Sequence, residues 1–128
     1  MKKLLVLLAL VALLLNAAAP AFASGDGLYV AMFPKAYIGD FWKSVEAGAR
    51  KAASDFGVTI TFEGPQSETD LEGQNMLVEN AITKGADVIA IAPLDSVGNV
   101  PIIETARDKG IKVITFNSKL ESDIPLTH

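Results

Sequence analysis

The chain has 128 residues, 11 of them basic and 15 acidic, with one histidine and no cysteine. An acidic balance of this kind is a poor match for nucleic acid, and the missing thiols exclude a disulfide framework and a cysteine nucleophile. With His128 as the sole histidine, a nitrogen- or sulfur-ligated metal site has too few ligands, so neither metal nor cofactor is expected.

The N-terminus reads as an export address. Lys2 and Lys3 precede an apolar run from Leu4 to Leu15, followed by Asn16, Pro20 and the small-residue stretch Ala21-Phe22-Ala23. This is the three-part pattern of a secretory signal peptide, residues 1–23, with cleavage after Ala23. A membrane span needs about 20 consecutive apolar residues, and Asn16 and Pro20 interrupt this one. No cysteine is present to carry a lipid, so the mature chain is expected free in a periplasm and not embedded in the membrane. Losing the leader removes two lysines and no acid, which leaves nine basic against fifteen acidic residues, net −6. The 105 residues left of 128 once 23 are removed suffice for one modest core without a second domain of equal size.

After the polar lead-in Ser24-Gly25-Asp26-Gly27, residues 28–33 form a short apolar run stopped by Pro34, which predicts a buried strand. Over 39–56, Phe41, Val45, Ala49, Ala52, Ala53 and Phe56 recur at helical spacing with Lys43, Glu46, Arg50, Lys51 and Asp55 between them. That pattern predicts an amphipathic helix closed by Gly57. Residues 58–62 alternate Val, Ile and Phe with Thr, a second strand ended by Gly64-Pro65. Ser67 stands three residues before Asp70 in a near-capping pattern, and Leu71, Met76, Leu77, Val78, Ala81 and Ile82 carry a second helix up to Lys84-Gly85. Residues 87–92 are too short a run for a helix and read as a strand buried on both faces. Asp95 or Ser96 is then expected to cap a third helix running to about Lys109, and 111–116 gives a fourth strand.

The alternation β-α-β-α-β-α-β predicts an α/β fold, a three-layer open parallel sheet of strand order 2-1-3-4 with helices on both faces. Such sheets bind ligands beyond the carboxyl ends of their strands, where the order reverses between the first and third. That edge carries Lys35, Tyr37, Asp40, Phe41 and Trp42 after strand one, Asp95 after strand three, and Asn117 and Ser118 after strand four. Aromatic faces that stack on C–H surfaces, together with carboxylate, amide and ammonium groups that bond hydroxyls, are what a small neutral sugar requires. Phe41 fits the core stripe of the first helix as well as the ligand edge, whereas Trp42, one step off that stripe, is expected to face the cleft. Lys35 and Asp95 would otherwise be a solvated charge and a helix cap, and Asn117 a turn residue.

The chain resembles the periplasmic solute-binding proteins of sugar ABC transporters, the ribose-type group. The resemblance rests on Met32-Phe33-Pro34-Lys35, on Phe41-Trp42-Lys43-Ser44-Val45-Glu46-Ala47-Gly48-Ala49, on residues 64–70 with Gln74, on 85–93, and on 109–116. It implies a periplasmic-binding-protein-like fold whose two lobes close on a sugar and deliver it to a membrane permease. Residues 24–128 would be the incomplete N-terminal lobe. The family's aromatic pair falls on Phe41 and Trp42, and a lysine that some relatives use falls on Lys35. The family's ligand-holding acid falls on Asn117, a departure that replaces a charge-assisted bond with an amide one. Gly39-Asp40 stands where many relatives have Asn-Pro. Because the sequence stops shortly after strand four, it is expected to be a fragment, or else to pair with another polypeptide.

Catalysis finds little footing: no thiol is present, and no Gly-rich phosphate loop follows strand one. A ligand-sensing module for a chemoreceptor or kinase is the alternative to transport.

Overall fold

Four short apolar runs become four parallel strands because each is too short for a stable helix and is punctuated by Pro, Gly or Asp. The computed structural model describes residues 27–126, and the leader expected over 1–23 lies outside the described residues. The strands are β1 (Tyr29–Phe33), β2 (Thr59–Phe62), β3 (Val88–Ile91) and β4 (Lys112–Thr115), joined by helices α1 (Asp40–Phe56), α2 (Leu71–Thr83) and α3 (Val100–Asp108). The sheet order is β2-β1-β3-β4 and every pair is parallel, as expected from the sequence. Register runs Tyr29 to Thr59 on one side of β1, Val30 to Val88 on the other, and Val88 to Lys112 between β3 and β4.

Helices cover both faces. Ala31, Phe33, Ile89, Ile91 and Val113 point to one side, where they pack with Val78, Ala81 and Ile82 of α2 and with Ile103 and Ala106 of α3. On the other side Phe62 and Ala92 meet Trp42, Val45 and Ala49 of α1, with Met32 and Phe116 alongside. Burying a side chain such as Ile89, Ile91 or Ile103 contributes about 1.5–3 kcal/mol each. This cluster is what holds the two-faced strands between their helices.

Local signals terminate the helices. Gly57 adopts φ 66°, a left-handed conformation that glycine enters without a Cβ clash, and the chain turns from α1 into β2 there. The cap of α2 is Asp70, whose carboxylate accepts a hydrogen bond from the Gly73 N–H at 2.9 Å; Ser67 instead pairs with Thr69. The third helix starts later than expected, at Val100 after Asn99, with Pro101 in its first turn. Asp95 does not cap it. Its Oδ1 accepts from the N–H groups of Val97 and Gly98 at 2.9 and 2.6 Å, closing a separate turn ahead of the helix.

β2 and β4 are the outer strands. The segment after β4 folds back beside it, burying Leu120 and Pro125 and giving one bond from the Leu126 N–H to the Val113 carbonyl at 2.8 Å. Over β1 and β2, α1 leaves an open apolar depression of about 330 Å³ lined by Val30, Met32, Ala49, Ala52, Ala53, Phe56, Val58 and Ile60. Phe56 is 82% exposed on its rim.

An exposed apolar depression and two strand edges favour association. The chain from Ser24 onward should therefore self-associate in sedimentation velocity, and Phe56→Lys should raise its monomer fraction; a monodisperse wild-type monomer would contradict this. A second test concerns Gly64, where an added Cβ would lie 2.8 Å from Pro34 Cγ and 3.0 Å from both the Ala36 carbonyl carbon and the Tyr37 nitrogen. Gly64→Ala should lower stability by about 1–3 kcal/mol in urea unfolding, because backbone has to move to admit the methyl group.

Candidate functional site

The loops at the carboxyl ends of the strands, together with the first turn of α1, hold every residue singled out from the sequence, and these residues differ in how firmly they are fixed. α1 begins at Asp40, immediately after Gly39, and its inward stripe is Trp42, Val45, Ala49 and Ala53. That spacing of three, four and four residues follows the helical period more closely than a stripe started at Phe41. Trp42, expected to face the cleft, is therefore the buried ring, and Phe41, which fitted core stripe and ligand edge alike, is the exposed one. Phe41 is 59% exposed, while Trp42 is 6% exposed and lies among Phe62, Ala92 and Phe116.

Trp42 forms the floor under this edge. Its ring meets Phe41 edge-on at 4.8 Å between centroids and Phe116 at 6.3 Å. The indole N–H donates to Glu68 Oε1 at 3.4 Å, so the polar end of a buried ring has a partner from the loop before α2. Phe41 rests on Trp42 and leaves a face open to solvent.

The charged candidates are less tightly held. Lys35 is half-buried and makes no ion pair or hydrogen bond among the described residues. Asp40 is exposed and pairs with Lys43 at 3.4 Å, while its carbonyl accepts from Ser44 Oγ at 2.9 Å. Asp95 is exposed, and the two backbone N–H groups of its turn, Gly98 first and Val97 second, hold its carboxyl below the ordinary value of 3.8. Both of those bonds go to Oδ1, leaving Oδ2 with no partner among the described residues.

After β4, Asn117 is exposed in a left-handed conformation, φ 65°, which asparagine tolerates better than most residues. Ser118 is half-buried and donates its hydroxyl to the Pro93 carbonyl at 2.9 Å, tying the loop after β4 to the loop after β3. Its hydroxyl proton is thereby used, and its oxygen can still accept. Tyr37 turns toward β2: its ring lies 6.4 Å from Phe62 and its hydroxyl donates to Glu46 at 3.0 Å. That bond raises the Tyr37 hydroxyl pKa. Arg50, 2.6 Å from Glu46, holds the Glu46 carboxyl below its usual range.

Contacts therefore join Phe41, Trp42 and Phe116 into one aromatic group and tie Ser118 to Pro93. No hydrogen bond or ion pair connects Lys35, Asp40, Asp95 or Asn117 to another member of the set among the described residues. The residue that residue-level reasoning underrated is Gln74. It is fully buried, its Nε2 donates to the carbonyls of Pro34 and Ala92, both at 3.0 Å, and its Oε1 accepts from the Leu94 N–H at 3.1 Å. A lone amide on the stripe of Val78, Ala81 and Ile82 was the available signal. Nearby, Asn99 is also fully buried and donates to Asn75 at 2.7 Å, and its own Oδ1 accepts from the Asp95 N–H.

Among the described residues no group of three or more His, Cys, Asp or Glu is placed to hold a metal, and no helix is long and apolar enough to cross a membrane. The chain is 29% identical over 97 residues to a D-ribose/D-allose-binding protein of Pseudomonas aeruginosa, covering 74% of this chain and 30% of that one. It is 32% identical over 114 residues to the D-allose-binding periplasmic protein of Escherichia coli, covering 89% and 35%. A solved sugar transporter from Clostridium phytofermentans superposes with a TM-score of 0.75 at 33% identity, covering 78% of this chain and 38% of that one. The chain thus spans about a third of the length of the curated relatives it matches. Residues 30–125 match the periplasmic binding protein domain. The chain belongs to that family of solute-binding proteins.

Proposed function

We propose that this chain supplies the N-terminal, sugar-facing lobe of a periplasmic solute-binding protein, which captures a small neutral sugar and presents it to an ABC permease. The observation that carries this is the exposed Phe41 ring, seated on a rigid Trp42 floor at the edge where the strand order reverses, in a chain of the periplasmic binding protein family. The kinship to ribose- and allose-binding proteins supports an aldose as the ligand class.

Each residue then has a definite task. Phe41 offers an open aromatic face for the C–H side of the sugar ring, a contact worth about 0.5–1.5 kcal/mol beyond its area. Asp95 accepts from a hydroxyl through the free Oδ2, and its turn keeps it ionised, so the bond is charge-assisted. Lys35, with no competing partner, donates to a second hydroxyl, and Asn117 both donates and accepts. In this reading the chain is exported through residues 1–23, cleaved after Ala23 and works in the periplasm, which the signal-peptide pattern and the periplasmic binding protein family support.

Titration of the chain from Ser24 onward with D-allose and D-ribose, followed by amide chemical shifts in NMR, tests the proposal. Shifts should concentrate at 35–42, 94–96 and 117–118, and Phe41→Ala should weaken binding about 3- to 10-fold. Shifts found elsewhere or nowhere in a folded sample would overturn it. The pH dependence has a determined sign. Asp95 has a lowered folded pKa, so its stabilising turn is fully present above 3.8 and is lost as pH falls through the lower folded value. Affinity and turn protection should therefore stay flat between about pH 5 and 8 as far as this group is concerned. Asp95→Asn should keep the turn yet bind sugar more weakly, as read from Kd at neutral pH.

A further inference from the structure

The β1–β3 ladder ends at an awkward place. Its last pair is Phe33 with Ile91, followed by one more bond from the Ala92 N–H to the Phe33 carbonyl at 2.8 Å. Beyond it the two chains leave for opposite sides of the sheet, one toward α1 and the other toward α3, and their backbone groups lose each other as partners. Pro34 and Pro93 are both fully buried here, so water is a poor substitute. The Gln74 side chain occupies this fork. One nitrogen bonds a carbonyl from each departing strand, and the amide oxygen takes the Leu94 N–H. The orientation of the amide is fixed by chemistry: reversed, its oxygen would face two carbonyl oxygens and its nitrogen an N–H.

We propose that Gln74 is a positioning residue of the sugar site: it sets the spacing of the loops that carry Lys35 and Asp95, and thereby the affinity, without touching ligand. The inference rests on the sugar-binding role proposed above. The clamp acts one residue from Lys35, at Pro34, and one residue from Asp95, at Leu94. Its anchor is α2, whose Val78, Ala81 and Ile82 are locked in the core, so the amide has little freedom to follow a moving loop. Loss of the amide strands two buried carbonyls and the half-buried Leu94 N–H at the fork, and the loops then separate until water reaches them.

The test uses Gln74→Met, which keeps the length of the side chain and removes all three bonds, and Gln74→Glu, which at low pH restores one donor and the acceptor. Two readouts are compared with wild type: hydrogen exchange of the Leu94 amide, with core amides of β1 and β3 as the reference, and the Kd for D-allose by NMR titration. In Gln74→Met the Leu94 amide should exchange about tenfold faster or more while the core reference stays protected, and allose should bind about tenfold more weakly. Gln74→Glu should lie between the two at about pH 5 and approach Gln74→Met at about pH 8, because an ionised carboxylate would face two carbonyls. If Gln74→Met fails to fold, Gln74→Glu at the lower pH carries both readouts. Leu94 exchange at the wild-type rate would overturn the clamp. Faster exchange with unchanged affinity would overturn the positioning role. A folded wild type that binds no sugar would sink the binding role instead, leaving the clamp to be judged on Leu94 alone.

Discussion

β1 has a parallel strand on each side, and a parallel neighbour can be reached only by a crossover through a covering layer. Right-handed crossovers to opposite sides must travel over opposite faces, which puts α1 on one face and α2 and α3 on the other. The loops leaving β1 and β3 therefore diverge, and the sheet opens at that one point. Burial of the strands on both faces, the placing of the aromatic group and the position of the loops beyond the strand ends all descend from this single geometric obligation.

An opening of this kind has to be lined without leaving backbone groups unsatisfied. Three side chains do most of it: Gln74 spans the fork, Asp95 closes the turn after β3, and Ser118 ties the Pro93 carbonyl to the loop after β4. Among the described residues no buried side-chain nitrogen or oxygen lacks a partner. The edge is thus stiff below and open above. Its polar residues divide accordingly into those consumed by the backbone and those, such as Lys35 and Asn117, left facing solvent.

Strand order was legible in the sequence because strands buried on both faces print as unbroken apolar runs, and the helices between them are too long for hairpins. The ring assignment was not. Phe41 and Trp42 are adjacent, each completes a stripe with Val45 and Ala49, and the small advantage in spacing of the Trp42 stripe becomes decisive only once Phe62 and Phe116 are in place to pack on that ring. The start of α3 was misplaced because an acid followed two or three residues later by backbone N–H groups caps a turn as readily as a helix, and Asp95 does the former. The bonds of Gln74 were not legible, since its partners lie 40, 18 and 20 residues away along the chain.

Trp42 is the sole tryptophan in the sequence. It is sealed beneath Phe41, set edge-on to Phe116 just after β4, and its indole nitrogen leans on a carboxylate from the loop before α2. Three segments distant in sequence thus converge on one chromophore. Its emission is therefore a built-in optical gauge of the crevice floor, free of interference from any second indole: a shift of wavelength or intensity reports that α1, β4 or the loop before α2 has changed its hold on that ring.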